Sequence, residues 1–253
     1  LQKRAISIIN GLKRKSLFKD REYTILAPTA DGTMLLITRY IYPQAPPQSP
    51  FPPYNMMSTI EECARFVSLI PFLDDFKIGH TKEAWNASDD FLQLRAGDEE
   101  EHAILLCNYF NYLDRTVKNN VFESYIVVGR GVPEGKTVYV MRANGNDVTF
   151  WNACTGDGYL KNDDNCTLRV ATIANDKNIW LNIQEFDRVS QLEFDLNDTS
   201  CWQPFFVEKK FEMADMSTCQ SPELSYTKPD PEFVDMVQRQ LNRTLQDEFR
   251  NWR

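Results

Sequence analysis

Two hydrophobic periods meet near residue 120, and their order constrains the fold more than any single motif. Up to Leu113 the apolar residues fall mainly at helical spacing; from Val121 onward they gather into short β-branched and aromatic runs. These runs are "VFESYIVVG", "TVYVMRA", "VTFW", "LRVATIA" and "IWLNIQEF". Turn-forming stretches such as "ANGND" and "NDKN" separate them. Helices first, then a run of strands, predict an α+β domain with an antiparallel sheet.

The helix boundaries can be read from caps. "TIEECARFVSLI" is predicted helical, with Ser58 as cap, Glu61 reaching back from three residues on, and Pro71 as stop. "SDDFLQLRA" predicts a second helix, capped by Ser88 and stopped by Gly97. A third runs from about Glu99 to Leu113 inside "AGDEEEHAILLCNYF". Asp98 is its expected cap, with Glu101 completing a capping box. Carboxylates in a first turn favour the positive helix end by about 0.3–1 kcal/mol each. Four consecutive acids on one turn fan outward, so this start is expected to be solvated. Asp230 and Pro231 open a long final helix. Its stripe of Phe233, Val237, Leu241, Leu245 and Phe249 is expected to pack on the domain.

Ahead of the first helix, "REYTILAPTADGTMLLITRYI" predicts two strands around Asp31-Gly32. The stretch 43–53, "PQAPPQSPFPP", holds six prolines and favours an extended linker. The expected division is a β-rich N-terminal extension, or the end of a preceding domain, over 1–42, and a Pro-rich linker over 43–57. The main domain follows over 58–228, and the packed C-terminal helix over 229–253.

Composition excludes several classes. The net charge is −8; residues 1–22 carry seven Lys/Arg against two acids, a net of +5, so the rest carries −13. An acidic body disfavours nucleic acid, whose affinity comes from phosphate neutralisation. No apolar run is long enough to span a bilayer. The N-terminal apolar patch in "LQKRAISIINGLKRK" is too short for a secretory signal. The six cysteines form no CxxC and there are two histidines, so neither a metal site nor a cofactor is expected. "GRGVPEGKT" fails as a phosphate loop, because Arg130 stands where a glycine is needed and a strand follows; it reads as a hairpin loop. "TGDGYLKNDDNC" lacks calcium-loop spacing and reads as a polar loop. "DTSCWQPFF" reads as a short helical turn. Cys107, among leucines, reads as a core residue, and His102 as a first-turn surface histidine.

A helix following Gly97, then a hairpin, then a strand ending in "FWNACTG" resembles the transglutaminase-like fold of the papain-like cysteine hydrolases. There a Cys at the helix start is activated by the helix N-terminus and an imidazolium, with an acid orienting the imidazole. By that pattern Ala103 and Leu105 set the nucleophile position at Glu99. "TVYV" sets the histidine position at Thr137, and Trp151 sets the acid position at Asn152. All three differ from the triad, so the resemblance implies a pseudoenzyme with no catalytic residues. "RFVSLIPFL", "AGDEEEHAILLCNYF", "VPEGKTVYV", "NIWLNIQEF" and "FRNWR" further resemble the transglutaminase-like region of the coiled-coil and C2 domain-containing family of ciliary transition-zone scaffolds. That resemblance covers roughly residues 35–253. It implies a cytoplasmic protein-interaction module at the cilium base, transition zone and basal body, acting in cilium assembly with other transition-zone proteins as partners. A cleft bordered by Glu99, Thr137 and Asn152, with Tyr139 and Trp151 nearby, would then hold a peptide tail or be filled. Asp98 to Glu101 at its mouth would repel acidic peptides and favour basic or neutral ones. Two alternatives stand beside this: an active cysteine hydrolase or transglutaminase using Cys154 or Cys107 with His102 or His80 as base, and a purely structural spacer.

Overall fold

The runs of β-branched residues assemble into one seven-stranded sheet, seen in a computed structural model that describes residues 1–47, 57, 59–74, 84–116, 121–145, 147–207, 217–227 and 230–252. The strands are β3 (Glu123–Gly131), β4 (Gly135–Asn144), β5 (Asp147–Asn152), β6 (Asp157–Leu160), β7 (Arg169–Ala174), β8 (Ile179–Asn182) and β9 (Trp202–Pro204). Their spatial order is β6-β5-β4-β3-β7-β8-β9, and every pair is antiparallel. The fold is therefore α+β, with one long helix against an antiparallel sheet.

Two strands correct the sequence reading. β6 lies inside the polar stretch read as a loop, and β9 lies in the stretch read as a helical turn. Both sit at sheet edges, where a neighbour's free N–H and C=O groups order a segment of weak intrinsic preference. The glycine-rich stretch after β3 is the expected hairpin, closing with Gly131 opposite Gly135.

Alternation along the strands sorts the core into two faces. Ile126, Val128, Val138 and Val140 join the helices on one face. Val127, Tyr139, Met141 and Phe150 form a second cluster on the other, closed by Leu192, Phe194 and Trp202. Helix α4 (Glu99–Thr116) crosses the first face and is buried from Glu100 through Asn111. Its sheet-facing side meets β3 and β4, and α2 (Ile60–Ser68) covers another. Cys107 is buried there, as expected.

The caps differ in detail from expectation. Helix α2 uses Thr59 and Glu62, one residue later than the Ser58–Glu61 box, with both reciprocal bonds formed at 3.1 and 3.2 Å. Ser58 itself lies outside the described residues. Both registers offer a hydroxyl followed by glutamate, and only the packing of Cys63, Ala64 and Val67 separates them. Helix α3 (Ser88–Leu94) starts on Ser88, with Ala87 at the cap position. Ser88 is drawn inward instead: its N–H donates to Gln220 Oε1 at 2.9 Å, and its hydroxyl accepts from Asn108.

Residues 1–42 are no appendage. Helix α1 (Gln2–Lys13) and the short hairpin β1 (Leu26–Pro28)/β2 (Met34–Leu36) bury Ala5, Leu12, Phe18, Ile25, Ile37 and Tyr40 in the same core as α4. Tyr23 OH donates to the Asn182 carbonyl at 2.8 Å, and the Thr24 N–H to Thr172 Oγ1 at 3.1 Å. The expected β-rich extension is thus a mixed segment joined to the main sheet, because its apolar residues have no core of their own. The Pro-rich stretch is likewise packed where it is described. Gln44, Pro46 and Pro47 are buried, and Gln44 N–H donates to the Asn108 carbonyl of α4. Prolines need few partners for their backbone, so an extended chain can lie against a helix without unpaired donors. Residues 48–56 lie outside the described set.

Helix α5 (Pro231–Asn251) has the expected cap, Asp230 accepting from Glu232 N–H at 3.1 Å. Its expected packing does not occur: no residue of α5 is buried, and Phe233, Leu241, Leu245 and Phe249 are exposed. Spacing fixes a stripe on a helix but not what the stripe meets.

Candidate functional site at the start of helix α4

The opening turn of α4 is capped as its sequence demands. Asp98 Oδ1 accepts from Glu100 N–H at 3.2 Å, and Glu101 Oε2 accepts from Asp98 N–H at 3.1 Å. Yet the turn is not solvated. Asp98, Glu100 and Glu101 are only 6%, 4% and 2% exposed. Glu101 and Glu100 are also held by partners that sequence spacing does not reveal. Glu101 Oε1 accepts from Asn86 N–H at 2.9 Å and Asn86 Nδ2 at 3.3 Å. Glu100 faces Lys136 Nζ of β4 at 3.6 Å. Burial raises the carboxyl pKa of Glu101, against the pull of the hydrogen bonds from Asp98 and Asn86. Burial also raises that of half-buried Glu99, helped by the carboxylates of Asp74 and Glu134. An acid mouth that repels acidic peptides is therefore corrected: three of its four carboxylates are packed inside.

His102 is a second correction. The ring is fully buried, stacked 4.9 Å from Phe91, with Nδ1 2.6 Å from the Asp98 carbonyl and Nε2 3.0 Å from the Ile70 carbonyl. It ties the loop after α2 to the cap of α4. The last turn of α2 and the first of α4 are brought together by Pro71 and Gly97, and only the fold makes that visible.

Strand parity divides the remaining predicted positions. Trp151 lies on the α4 face, edge-on to Phe110 at 5.6 Å. Thr137, Tyr139 and Asn152 lie on alternate residues with the second core, opposite α4. There Asn152 Nδ2 donates to Tyr139 OH at 3.1 Å, while Asn152 Oδ1 accepts from the N–H groups of Cys154 and Thr155. Thr137 is buried beside Gly131. The structure thus joins Thr137, Tyr139 and Asn152 in one group and Glu99 in another. Lys136, one residue before Thr137, is the β4 side chain that reaches the start of α4. Sequence reasoning missed it, although the alternation of β4 against Val138 and Val140 carried the signal.

Cys154 lies two residues after Asn152, its N–H donating to Asn152 Oδ1. Burial raises its thiol pKa strongly, and the carboxylates of Glu99, Asp98, Glu100 and Glu134 push it further up. Cys107 is raised as well, by burial first. His80 lies outside the described residues. One carboxylate oxygen each from Asp98, Glu99 and Glu100 lie within 4.8 Å of one another, as close as cation ligands stand. Two of the three are already committed, Asp98 to the cap and Glu100 to Lys136. No helix among the described residues is long and apolar enough to cross a membrane.

The family model of the CEP76 peptidase-like domain matches residues 83–205, which run from the approach to α3 to the end of β9. Human protein CC2D2B is 31% identical over 243 residues, covering 94% of this chain. Coiled-coil and C2 domain-containing protein 2A of Drosophila melanogaster is 25% identical over 232 residues, covering 90%. The chain spans 16% of the length of each of these two relatives. The human centrosomal protein of 76 kDa is 29% identical over 175 residues, covering 61% of this chain and 25% of its own length. Among solved structures, Legionella pneumophila LapG superposes with a TM-score of 0.40 at 13% identity, over 48% of this chain and 66% of that one. Residues 83–205 are thus similar to the CEP76 peptidase-like domain, within a chain similar over most of its length to the CC2D2 proteins.

Proposed function

We propose that this chain is a non-catalytic transglutaminase-like module that serves protein interaction at the ciliary transition zone and basal body. In this reading Glu99, Thr137 and Asn152 stand at the former triad positions, and the partners are other transition-zone proteins. One observation carries the loss of chemistry. A cysteine nucleophile needs a nearby cation to hold it as thiolate. Burial first, and then the carboxylates of Glu99, Asp98, Glu100 and Glu134, push the Cys154 thiol up and so favour its protonated form. The described imidazole, His102, is buried against Phe91 with its ring nitrogens facing the Asp98 and Ile70 carbonyls. The kinship with centrosomal and CC2D2 proteins supports the place of action.

A purely structural spacer is the second reading, favoured by the burial of Asp98, Glu100 and Glu101, which leaves the start of α4 packed rather than open.

Alkylation of Cys154 by iodoacetamide, followed by mass spectrometry of the 253-residue chain, tests the loss of chemistry. Labelling is expected to be slow at neutral pH and faster in Glu99→Gln, which removes the first-named charge against the thiolate. Rapid labelling of the parent, with a rate that titrates near pH 6–7 as a histidine base would impose, overturns the reading. Placement is tested by imaging the tagged full-length protein in ciliated cells. Accumulation away from the cilium base overturns that part.

A further inference from the structure

The most unusual charge arrangement lies away from α4, on the part of the sheet next to the N-terminal segment. Arg130 of β3 stands directly opposite Arg169 of β7, and Arg169 directly opposite Arg188 in an isolated bridge. Residues directly opposite in an antiparallel ladder project side by side. Three arginines therefore form one row across three neighbouring chain segments, with backbones spaced about 4.8 Å apart. Like charges placed this way repel, and such a row is costly unless something answers it.

The answer within the chain is incomplete. Arg130 pairs with Glu22 at 2.7 Å and Arg169 with half-buried Asp187 at 3.2 Å, the two arginine side chains being exposed. Arg188 is exposed and has no side-chain partner among the described residues. The row lines a groove of about 760 Å³, whose rim carries the exposed apolar residues Leu17, Val132 and Phe186. The N-terminal segment contributes Leu17, Asp20 and Arg21 to its lining. Arg21 anchors that segment by donating to the carbonyls of Asn182, Glu185 and Phe186 at 2.9–3.0 Å. The lining holds four arginines, Arg21, Arg130, Arg169 and Arg188, against three acids, Asp20, Glu185 and Asp187, so it keeps a net positive charge in a chain of net charge −8.

We propose that this groove binds an extended acidic peptide segment of a partner protein, its carboxylates on Arg188, Arg169 and Arg130 and its apolar side chains on Phe186 and Val132. Charge complementarity selects the occupant. Guanidinium groups take carboxylates with paired hydrogen bonds, and acids on alternate residues of an extended peptide lie about 7 Å apart, within reach of such a row. Leu17, Val132 and Phe186 suit interspersed apolar side chains better than a bare phosphate. The inference holds whether or not the domain has lost its chemistry.

The test is a fluorescence-anisotropy titration of the 253-residue chain with a labelled peptide of about 12 residues, glutamate alternating with serine and leucine. Binding is expected to weaken steeply with salt, as attraction between exposed charges does. Arg188→Ala is expected to weaken it about tenfold and Arg188→Glu to abolish it, with unchanged circular dichroism and melting temperature. A matched peptide with glutamine for glutamate is expected not to bind. Equal binding of the two peptides, or an unchanged affinity in Arg188→Glu, overturns the proposal. So does binding to vesicles of anionic phosphoinositide lipid without binding to the acidic peptide, which would make the groove a membrane contact.

Discussion

The start of α4 and the arginine row are both clusters of like charge, and their surroundings give them opposite characters. At α4 three of four acids are inside the protein and engaged: with backbone N–H groups, with Asn86, with Lys136. Along the row the cations stay in water, and Arg188 has no acid to meet among the described residues. The β3–β4 hairpin serves both regions. Lys136 lies on the acid side, while Arg130, Gly131 and Val132 line the groove. A cluster of charge that the fold satisfies internally is architecture. One that the fold leaves exposed and crowded remains available to a partner.

Substitutions can break this contrast, and the largest effect lies under the arginine row. A Cβ on Gly129 would sit 1.9 Å from the Arg169 carbonyl oxygen, at the point where the register of β3 and β7 shifts. Gly129→Ala must part the two strands, and should cost about 3 kcal/mol or more in urea unfolding. It should also abolish acidic-peptide binding by dispersing the row. Next is Glu101→Ala, which strips acceptors from the buried N–H groups of Asp98 and Asn86. Its expected cost is about 2–3 kcal/mol by the same measurement, with Glu101→Gln restoring part. A loss below 1 kcal/mol would mean the acid cluster is not structural.

Glu99→Gln sharpens the comparison through pH. Burial holds the Glu99 carboxyl above its ordinary 4.5, so the folded protein keeps a proton there more tightly than the unfolded chain. Stability from this group is therefore present at low pH and lost as pH rises from 4.5 through the raised folded value. The variant should be more stable than the parent near neutral pH, with an advantage that shrinks towards pH 4.5, read from urea midpoints across that range. An advantage independent of pH would remove the electrostatic account. The smallest change is expected at the row itself: Arg188→Ala should raise stability by no more than about 0.5 kcal/mol, because it relieves a solvent-screened repulsion and removes no partner. A loss of stability would instead report that Arg188 supports the fold.

Much of the fold was legible because its signals are local. A capping residue acts on N–H groups two or three positions away, so Asp98 and Asp230 could be assigned from neighbours alone. Five of the seven strands of the main sheet followed from β-branched runs, and the switch of period gave the α+β class. β6 and β9 escaped because their order comes from the strand beside them. Ser88 escaped because partners distant in the chain engage it: Asn108 donates to its hydroxyl and Gln220 accepts its N–H.

The candidate site was legible only in part, for a related reason. The sequence by itself determined that no thiol stands at Glu99, no imidazole at Thr137 and no carboxylate at Asn152. It also determined which residues alternate along β4. Only the tertiary structure decided which face of the sheet meets α4, and so placed Lys136 rather than Thr137 beside the acids. Burial depends on what covers a surface, which is why four acids in a row read as solvated and His102 as exposed, while the fold encloses both. Cross-strand partners are set by register across long stretches of chain, so nothing local to Arg130, Arg169 or Arg188 announces that the three share a row.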